Sequence, residues 1–257
     1  SNRYSFRPSD VSSHYLAWPK LTDLSDEAPI TGYKENRGYS FIDSDKTILS
    51  ERISKYFDQI EHRSAHREFI THTGYIGSKR ISVMSTGIGP DNIDIALNEV
   101  DALVNIDFET RCIKDIKKSV SVIRLGTCGS LQGEVGVDQL VAGTHGLGVD
   151  NLLHFYQPNN NPEELAILAA FEQHTNIHAH HIKPYISSAS AGLLKHFTEG
   201  YNHGITVTCP GFYGPQGRIL RLPLKMPNLV DQMTSFRFGN HHIANFEMET
   251  SAIYGLC

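Results

Sequence analysis

Two short segments, GFYGPQGR (Gly211–Arg218) and NFEMET (Asn245–Thr250), hold the side chains best suited to chemistry. Gln216 can donate and accept hydrogen bonds, and Arg218 presents a fixed fork of donors two residues later. Together they can read the carbonyl and ring N–H edge of a base such as uracil. Glu247 and Glu249, also two apart, can accept hydrogen bonds from vicinal ribose hydroxyls. The two segments therefore read as halves of a nucleoside-binding site.

Glycine-rich turns add candidates for an anion. STGIGP (Ser85–Pro90) carries Gly87 and leads into a helix with Asp91 as expected N-cap. Backbone N–H groups at such a helix start favour a phosphate. The segment lacks the Lys-Ser/Thr ending of a P-loop and the G-x-G-x-x-G spacing, so a plain strand-to-helix turn is the alternative. In RLGTCGS, Arg124 stands near the end of an apolar strand, where a charge needs a partner, and Thr127 adds a hydroxyl. An oxyanion or a structural ion pair would each explain Arg124. SAHREF supplies Arg67 and Glu68, which by themselves read as surface residues at a strand start. HAHH (His178–His181) reads as strand, with no acidic ligand near and no H-E-x-x-H spacing, so no metal site is expected. The four cysteines form no C-x-x-C pair, which argues against zinc or a disulfide framework, and Cys128 reads as a small buried hydrophobe.

The elements that must position these groups alternate along the chain. Residues 1–45 are rich in Pro, Ser, Asp and Gly and read as an N-terminal arm or lead-in, ahead of a domain over 46–257. Ile48, Ile53, Tyr56, Phe57 and Ile60 recur at helical spacing. Strands are expected at Phe69–Tyr75, Arg80–Met84, Val120–Leu125, Gln139–Ala142, Ile182–Ile186, Ile205–Thr208 and His241–Phe246. Helices are expected after Asp91 (Ile93, Leu97, Val100, Val104), over Glu163–His174 and over Ser251–Leu256. The expected fold is α/β, a single domain with a distorted mixed β-sheet flanked by helices, its ligands beyond the carboxyl ends of the strands. Glycine turns such as GTHGLG (Gly143–Gly148) fall there. The 257 residues can bury one large core, and a net charge of −5 without a basic block argues against a polyanionic partner. With no membrane span or secretion signal in view, the expectation is a soluble protein of the reducing cytoplasm.

Taken in order, SAHREF, STGIG, RLGTCGSLQ, GFYGPQGR and NFEMET resemble the nucleoside phosphorylase superfamily, most closely the bacterial uridine phosphorylases, over about residues 50–257. The resemblance implies phosphate-dependent cleavage of the N-glycosidic bond of uridine to uracil and ribose 1-phosphate, with phosphate as co-substrate and no cofactor. By the same resemblance Arg124, Thr127 and Gly87 would bind phosphate, with Arg67 reaching it from the adjacent subunit. Glu249, Met248 and Glu247 would hold ribose, Phe212, Gln216 and Arg218 the base, and His14 or Tyr15 a neighbour's ribose. Arg124, Arg218 and Glu249 would carry catalysis. Dimers or hexamers with shared sites are implied, and a further strand and long helix beyond Cys257. The chain departs from the family at its GDP-x-R element, which aligns with DKTIL (Asp45–Leu49), where Lys46 is the available cation. A nucleoside hydrolase, a purine nucleoside phosphorylase and a non-catalytic nucleoside-binding or storage relative are the alternatives.

Overall fold

The computed structural model describes residues 39–43, 47–66 and 69–257, with side chains from Ser50 onward. His14, Tyr15, Lys46, Arg67 and Glu68 lie outside the described residues. The chain divides into two compact units: residues through Ile88 with Asn92–Gly126, and Gly89–Asp91 with Thr127–Cys257. Both are α/β.

The first unit contains β1 (Tyr39–Asp43), α1 (Thr47–Ser54), β2 (Gln59–His66), β3 (Phe69–Ile76), β4 (Lys79–Ser85), α2 (Pro90–Asn105), the short pair β5 (Ile106–Asp107) and β6 (Cys112–Ile113), and β7 (Ser121–Leu125). Its sheet runs β2-β3-β4-β1-β7. β2, β3 and β4 pair antiparallel, whereas β1 lies parallel to both β4 and β7. The sheet is therefore mixed. Residues 39–43, left in the lead-in by the sequence reading, are its penultimate strand. The expected helix ends at Ser54, and Ile60 enters β2 instead. Tyr56, counted in the helical stripe, is exposed, so its spacing carried no packing information. Alternation divides the apolar residues between two faces. Ile81 and Val83 pack with Ile53 of α1, while Met84 and Phe69 pack with Ala96 and Val100 of α2. Asp91, expected as N-cap, lies within the first turn after Pro90; proline has no N–H to lose at a helix start.

The second unit continues with β8 (Gly129–Ser130), β9 (Leu140–Gly148), α3 (Pro162–Thr175), β10 (Tyr185–Ser188), α4 (Ala191–Leu194), β11 (Tyr201–Thr208), α5 (Leu229–Ser235), β12 (Arg237–Phe238), β13 (His241–Glu247) and α6 (Thr250–Leu256). Its strands run β10-β9-β11-β13-β12, with β8 also on β13. β9, β11 and β13 are parallel, and register shifts at Gly204/Ile205 and Ile205/Thr206 distort the sheet. GTHGLG, expected as a turn after a strand ending at Ala142, is instead the second half of β9, whose glycines give room to Tyr185 and the backbone of α6. The core on one face gathers Leu147, Ile167, Phe171, Ile205, Val207, Met233 and Phe236. Phe171 and Phe236 meet edge to face at 5.6 Å, and burying each such ring contributes about 2–3 kcal/mol. α6 packs against β9, β10 and β11.

Local signals explain α3. Asn161 accepts from the Glu164 N–H, Glu164 reaches back to the Asn161 N–H, Pro162 opens the helix, and Asn176 closes it in the left-handed region. This is a capping box. Histidines 178 and 180, expected on a strand, lie on a 3-10 turn (Ile177–His180). The alternation of two histidines could not distinguish the two states.

Candidate active site

In the first unit, register aligns the carboxyl ends of three parallel strands: Asp43 of β1 sits opposite Ser85 of β4 and Leu125 of β7. The turn after Ser85 and the segment after Leu125 therefore leave the same sheet edge. Gly87 follows β4 at φ 73°, a left-handed value that glycine adopts without strain. Arg124, one residue before the end of β7, pairs in register with Ile42 and is half-buried.

The second unit repeats the layout. Gly148 ends β9 opposite Thr208 of β11, which lies opposite Glu247 of β13. Beyond these ends come Asp150, the Gly211–Arg218 segment, and Met248 with Glu249. Thr127 is exposed, two residues before β8, whose Gly129 pairs with Phe246. A Cβ at Gly129 would sit 2.6 Å from the Phe246 ring, so the glycine of this motif is needed for close packing. Cys128, expected to be buried, is exposed.

Arg218 and Gln216 are joined directly. Arg218 Nη1 donates to Gln216 Oε1 and, at 2.7 Å, to the Phe212 carbonyl. The guanidinium lies over the Phe212 ring, 3.9 Å from its centroid, and 5.5 Å from that of Phe246. Gln216 is buried at the end of a 3-10 turn closed by Gly217 at φ 72°. Because Arg218 donates into Oε1, the Gln216 amide NH₂ is assigned to the opposite edge, as a donor. Phe212 and Tyr213 are half-exposed beside this pair and stack edge to face at 5.5 Å.

The two glutamates have different surroundings. Glu247 is buried and fully engaged inside the protein: Thr208 Oγ1 donates to it at 2.6 Å, the Glu249 N–H at 2.8 Å and the Thr250 N–H at 2.9 Å. It caps α6 by reaching forward from β13 and neutralises donors that a helix start leaves open. Glu249 is also buried, and its Oε1 accepts from the Gly89 N–H at 2.9 Å. Gly89 has φ 107°, outside the range of other residues. Met248 between them is half-buried.

Sequence reasoning missed the supporting groups. Gln132, in the LGTCGSLQ motif, donates to the carbonyls of Ile243 and Thr234 and accepts from Arg237 at 2.8 Å, fixing the chain after β8 to β13 and α5. Tyr185, Ser251 and Thr208, which are buried, form a second network with the half-buried Asp150. Asp150 carried a readable signal, being an acid directly after the apolar GLGV run. Burial pushes its carboxyl up, while hydrogen bonds from Leu152 and Tyr185 oppose that. Cys209 is pushed up to about 12, by burial first and by Glu247 and Asp150 next, which makes it an inert thiol. Among the described residues no group of His, Cys, Asp and Glu could hold a metal, and no helix is long and apolar enough to cross a membrane.

Residues 47–257 match the sequence model of the Phosphorylase superfamily. Uridine phosphorylase of Haemophilus influenzae is 27% identical over 212 residues, which cover 81% of this chain and 70% of that protein. Uridine phosphorylase of Thermococcus kodakarensis is 27% identical over 210 residues, covering 80% and 62%. A crystal structure of Trypanosoma brucei nucleoside phosphorylase, described as showing uridine phosphorylase activity, is similar with TM-score 0.75 at 31% identity, over 84% of this chain and 78% of that one. With strand-end turns, a joined Gln–Arg pair and buried glutamates in place, and a family match over most of its length, this chain belongs to the phosphorylase superfamily.

Proposed function

We propose that this chain is a pentosyltransferase that cleaves the N-glycosidic bond of uridine with inorganic phosphate as co-substrate, releasing uracil and ribose 1-phosphate. A phosphate oxygen bonds to the anomeric carbon as the carbon–nitrogen bond breaks, and the bonding pair leaves with the base. Positive charge grows on the sugar and negative charge on uracil, so donors held at the base carbonyls stabilise the transition state more than the ground state. The observation that carries the reading is the Gln216–Arg218 pair. It offers an amide NH₂ and a guanidinium edge on a buried, hydrogen-bonded frame, a donor-rich surface that matches the two carbonyls of uracil better than the amino group of cytosine.

Glu249 accepts from ribose, Met248 and Phe212 provide apolar contact to sugar and base, and Arg124, Thr127 and the turn at Gly87 hold phosphate. Arg67 is assigned to the phosphate of a neighbouring subunit and His14 to a neighbour's ribose, in a dimer or hexamer. Glu247 is given a holding role, since its oxygens serve Thr208 and the start of α6. Pyrimidine salvage in the cytoplasm is the setting this chemistry fits. Support comes from the kinship with uridine phosphorylases and from the donor pair.

The test is ultraviolet-monitored cleavage of uridine, cytidine and inosine, each with and without phosphate. Cleavage of uridine only with phosphate is expected, with cytidine much slower. Cleavage without phosphate would replace the reading by a hydrolase, preference for inosine by a purine phosphorylase, and no cleavage by a non-catalytic relative. Light scattering that gives a monomer would remove the shared-site roles of Arg67 and His14.

A further inference from the structure

The GTHGLG motif and the aspartate two residues after it take no part in the reaction proposed above, yet they sit against the start of α6. Asp150 Oδ1 accepts from the Leu152 N–H at 2.8 Å, and both of its oxygens lie 2.9 Å from the Tyr185 hydroxyl. Tyrosine has one hydroxyl proton, and the carboxylate takes it. Ser251 Oγ, 2.9 Å from the same tyrosine oxygen, is then the donor to it. The Ser251 N–H donates to Thr208 Oγ1 at 2.8 Å, and Thr208 Oγ1 donates to Glu247 Oε1 at 2.6 Å. Glu247 Oε2 accepts from the N–H of Glu249, whose own carboxylate accepts from Gly89. These bonds, linked through the covalent frames of Ser251 and Glu247, connect Asp150 to the backbone N–H of Glu249 at the start of α6.

Two glycines of the motif make room for it. A Cβ on Gly148 would fall 2.2 Å from the Tyr185 ring, and one on Gly146 would fall 2.7 Å from the Ser251 Cα. The need for such a device follows from α6 itself. The helix has seven residues, and because its N-cap, Glu249, makes no side-chain cap bond, its first N–H groups rest on Glu247, which the Thr208–Ser251 contacts hold in place. A helix this short does not hold its own first turn. A half-buried aspartate carries a desolvation cost that an apolar contact would avoid, so its benefit lies in fixing one geometry.

We propose that Asp150 and Tyr185 are positioning residues that set the orientation of the Glu249 carboxylate toward the ribose hydroxyls. The inference rests on the reading of Glu249 as the ribose acceptor. Tyr185 also ties Asp150 to Ser251, so removing its hydroxyl breaks the chain at one defined link while leaving the ring in place.

The experiment compares Tyr185→Phe with the wild type on uridine and 2′-deoxyuridine, in the wild-type and Glu249→Gln backgrounds. The expected result is a rise of roughly tenfold in KM for uridine with the phosphate KM unchanged, a narrowed preference for uridine over 2′-deoxyuridine, and no further narrowing when Glu249→Gln is already present. A folded Tyr185→Phe enzyme with an unchanged preference, or with equal losses toward uridine, 2′-deoxyuridine and phosphate, overturns the inference. Should Tyr185→Phe fail to fold, Asp150→Asn is judged by the same preference, since it keeps the size of the side chain and one acceptor oxygen while removing the charge and replacing the other oxygen by an NH₂ donor. Wild-type protein that cleaves no nucleoside sinks the functional reading and this inference with it. An active wild type with an unchanged preference in the variant sinks the inference alone.

Discussion

One guanidinium nitrogen of Arg218 is shared between the Phe212 carbonyl and the Gln216 side chain, so the arginine both builds the base-reading frame and belongs to it. Arg218→Ala is expected to lower kcat/KM for uridine by about a hundredfold or more, because a preorganised donor to developing charge is lost. Circular dichroism should show the fold retained, and unchanged turnover would remove Arg218 from the reaction. Glu247 behaves differently. Glu247→Gln turns an NH₂ group toward N–H and O–H donors, and a loss of about 1–3 kcal/mol in urea unfolding is expected. A variant as stable as the wild type would show that the cap is dispensable. The residue types of the candidate site were readable in advance because Gln, Arg and Glu have few uses in glycine-rich strand-end segments. The difference between Glu247 and Glu249 was not readable: it depends on Thr208, thirty-nine residues away, and sequence spacing says nothing about that distance in space.

Within each unit the candidate residues lie at strand ends, and β9 has the strictest demands. Its alternation places Leu147 in the core and Gly146 and Gly148 toward α6 and Tyr185. Gly146→Ala would press a methyl against the backbone of Ser251, which cannot turn aside, and should cost about 1–3 kcal/mol together with nucleoside cleavage. Gly133→Ala, with open space around the new methyl, is the control and should change neither. Equal stability of the two variants would remove the packing role. The elements most legible from sequence were those with long clean periods or strong stops: α2, α3 with its Asn161 and Glu164, and β3, β4, β7, β11 and β13 were all placed within a few residues. β2 was lost to an apparent helical stripe through Tyr56, and β1 and α5 gave too short a pattern to stand out.

Acid sensitivity belongs to the molecule as a whole, and both units contribute. His72, His145 and His242 are each held below the ordinary histidine value of 6.5, by burial first; Arg63, His241 and Arg237 respectively add to the effect. A lowered folded value means that the unfolded chain takes up the proton first. The stability these groups provide is present above the ordinary value and lost as pH falls from there toward the folded values. Denaturation midpoints in urea should therefore fall between pH 7.5 and pH 5.5, and His145→Asn should flatten that slope; a flat profile in the wild type would refute the assignment. Glu164 acts lower on the scale. Burial raises its carboxyl, but hydrogen bonds from Ser188, Asn161 and Asn160 outweigh this and hold it below the usual range. Its contribution is lost only as pH falls through that depressed value.

The strand order of the first unit sets a schedule for synthesis. β1 lies between β4 and β7 and pairs with both, yet roughly eighty residues separate it from the start of β7. While the chain emerges from a ribosome, β1 can add to the β4 edge as soon as the β2–β4 meander has formed, but its other side stays open. For that interval the nascent chain presents a bare row of N–H and C=O groups, the kind of edge on which another chain can pair. Translation that pauses between α2 and β7 would prolong this exposure, so the spacing of these two strands makes the pace of synthesis, as well as the finished packing, a determinant of yield.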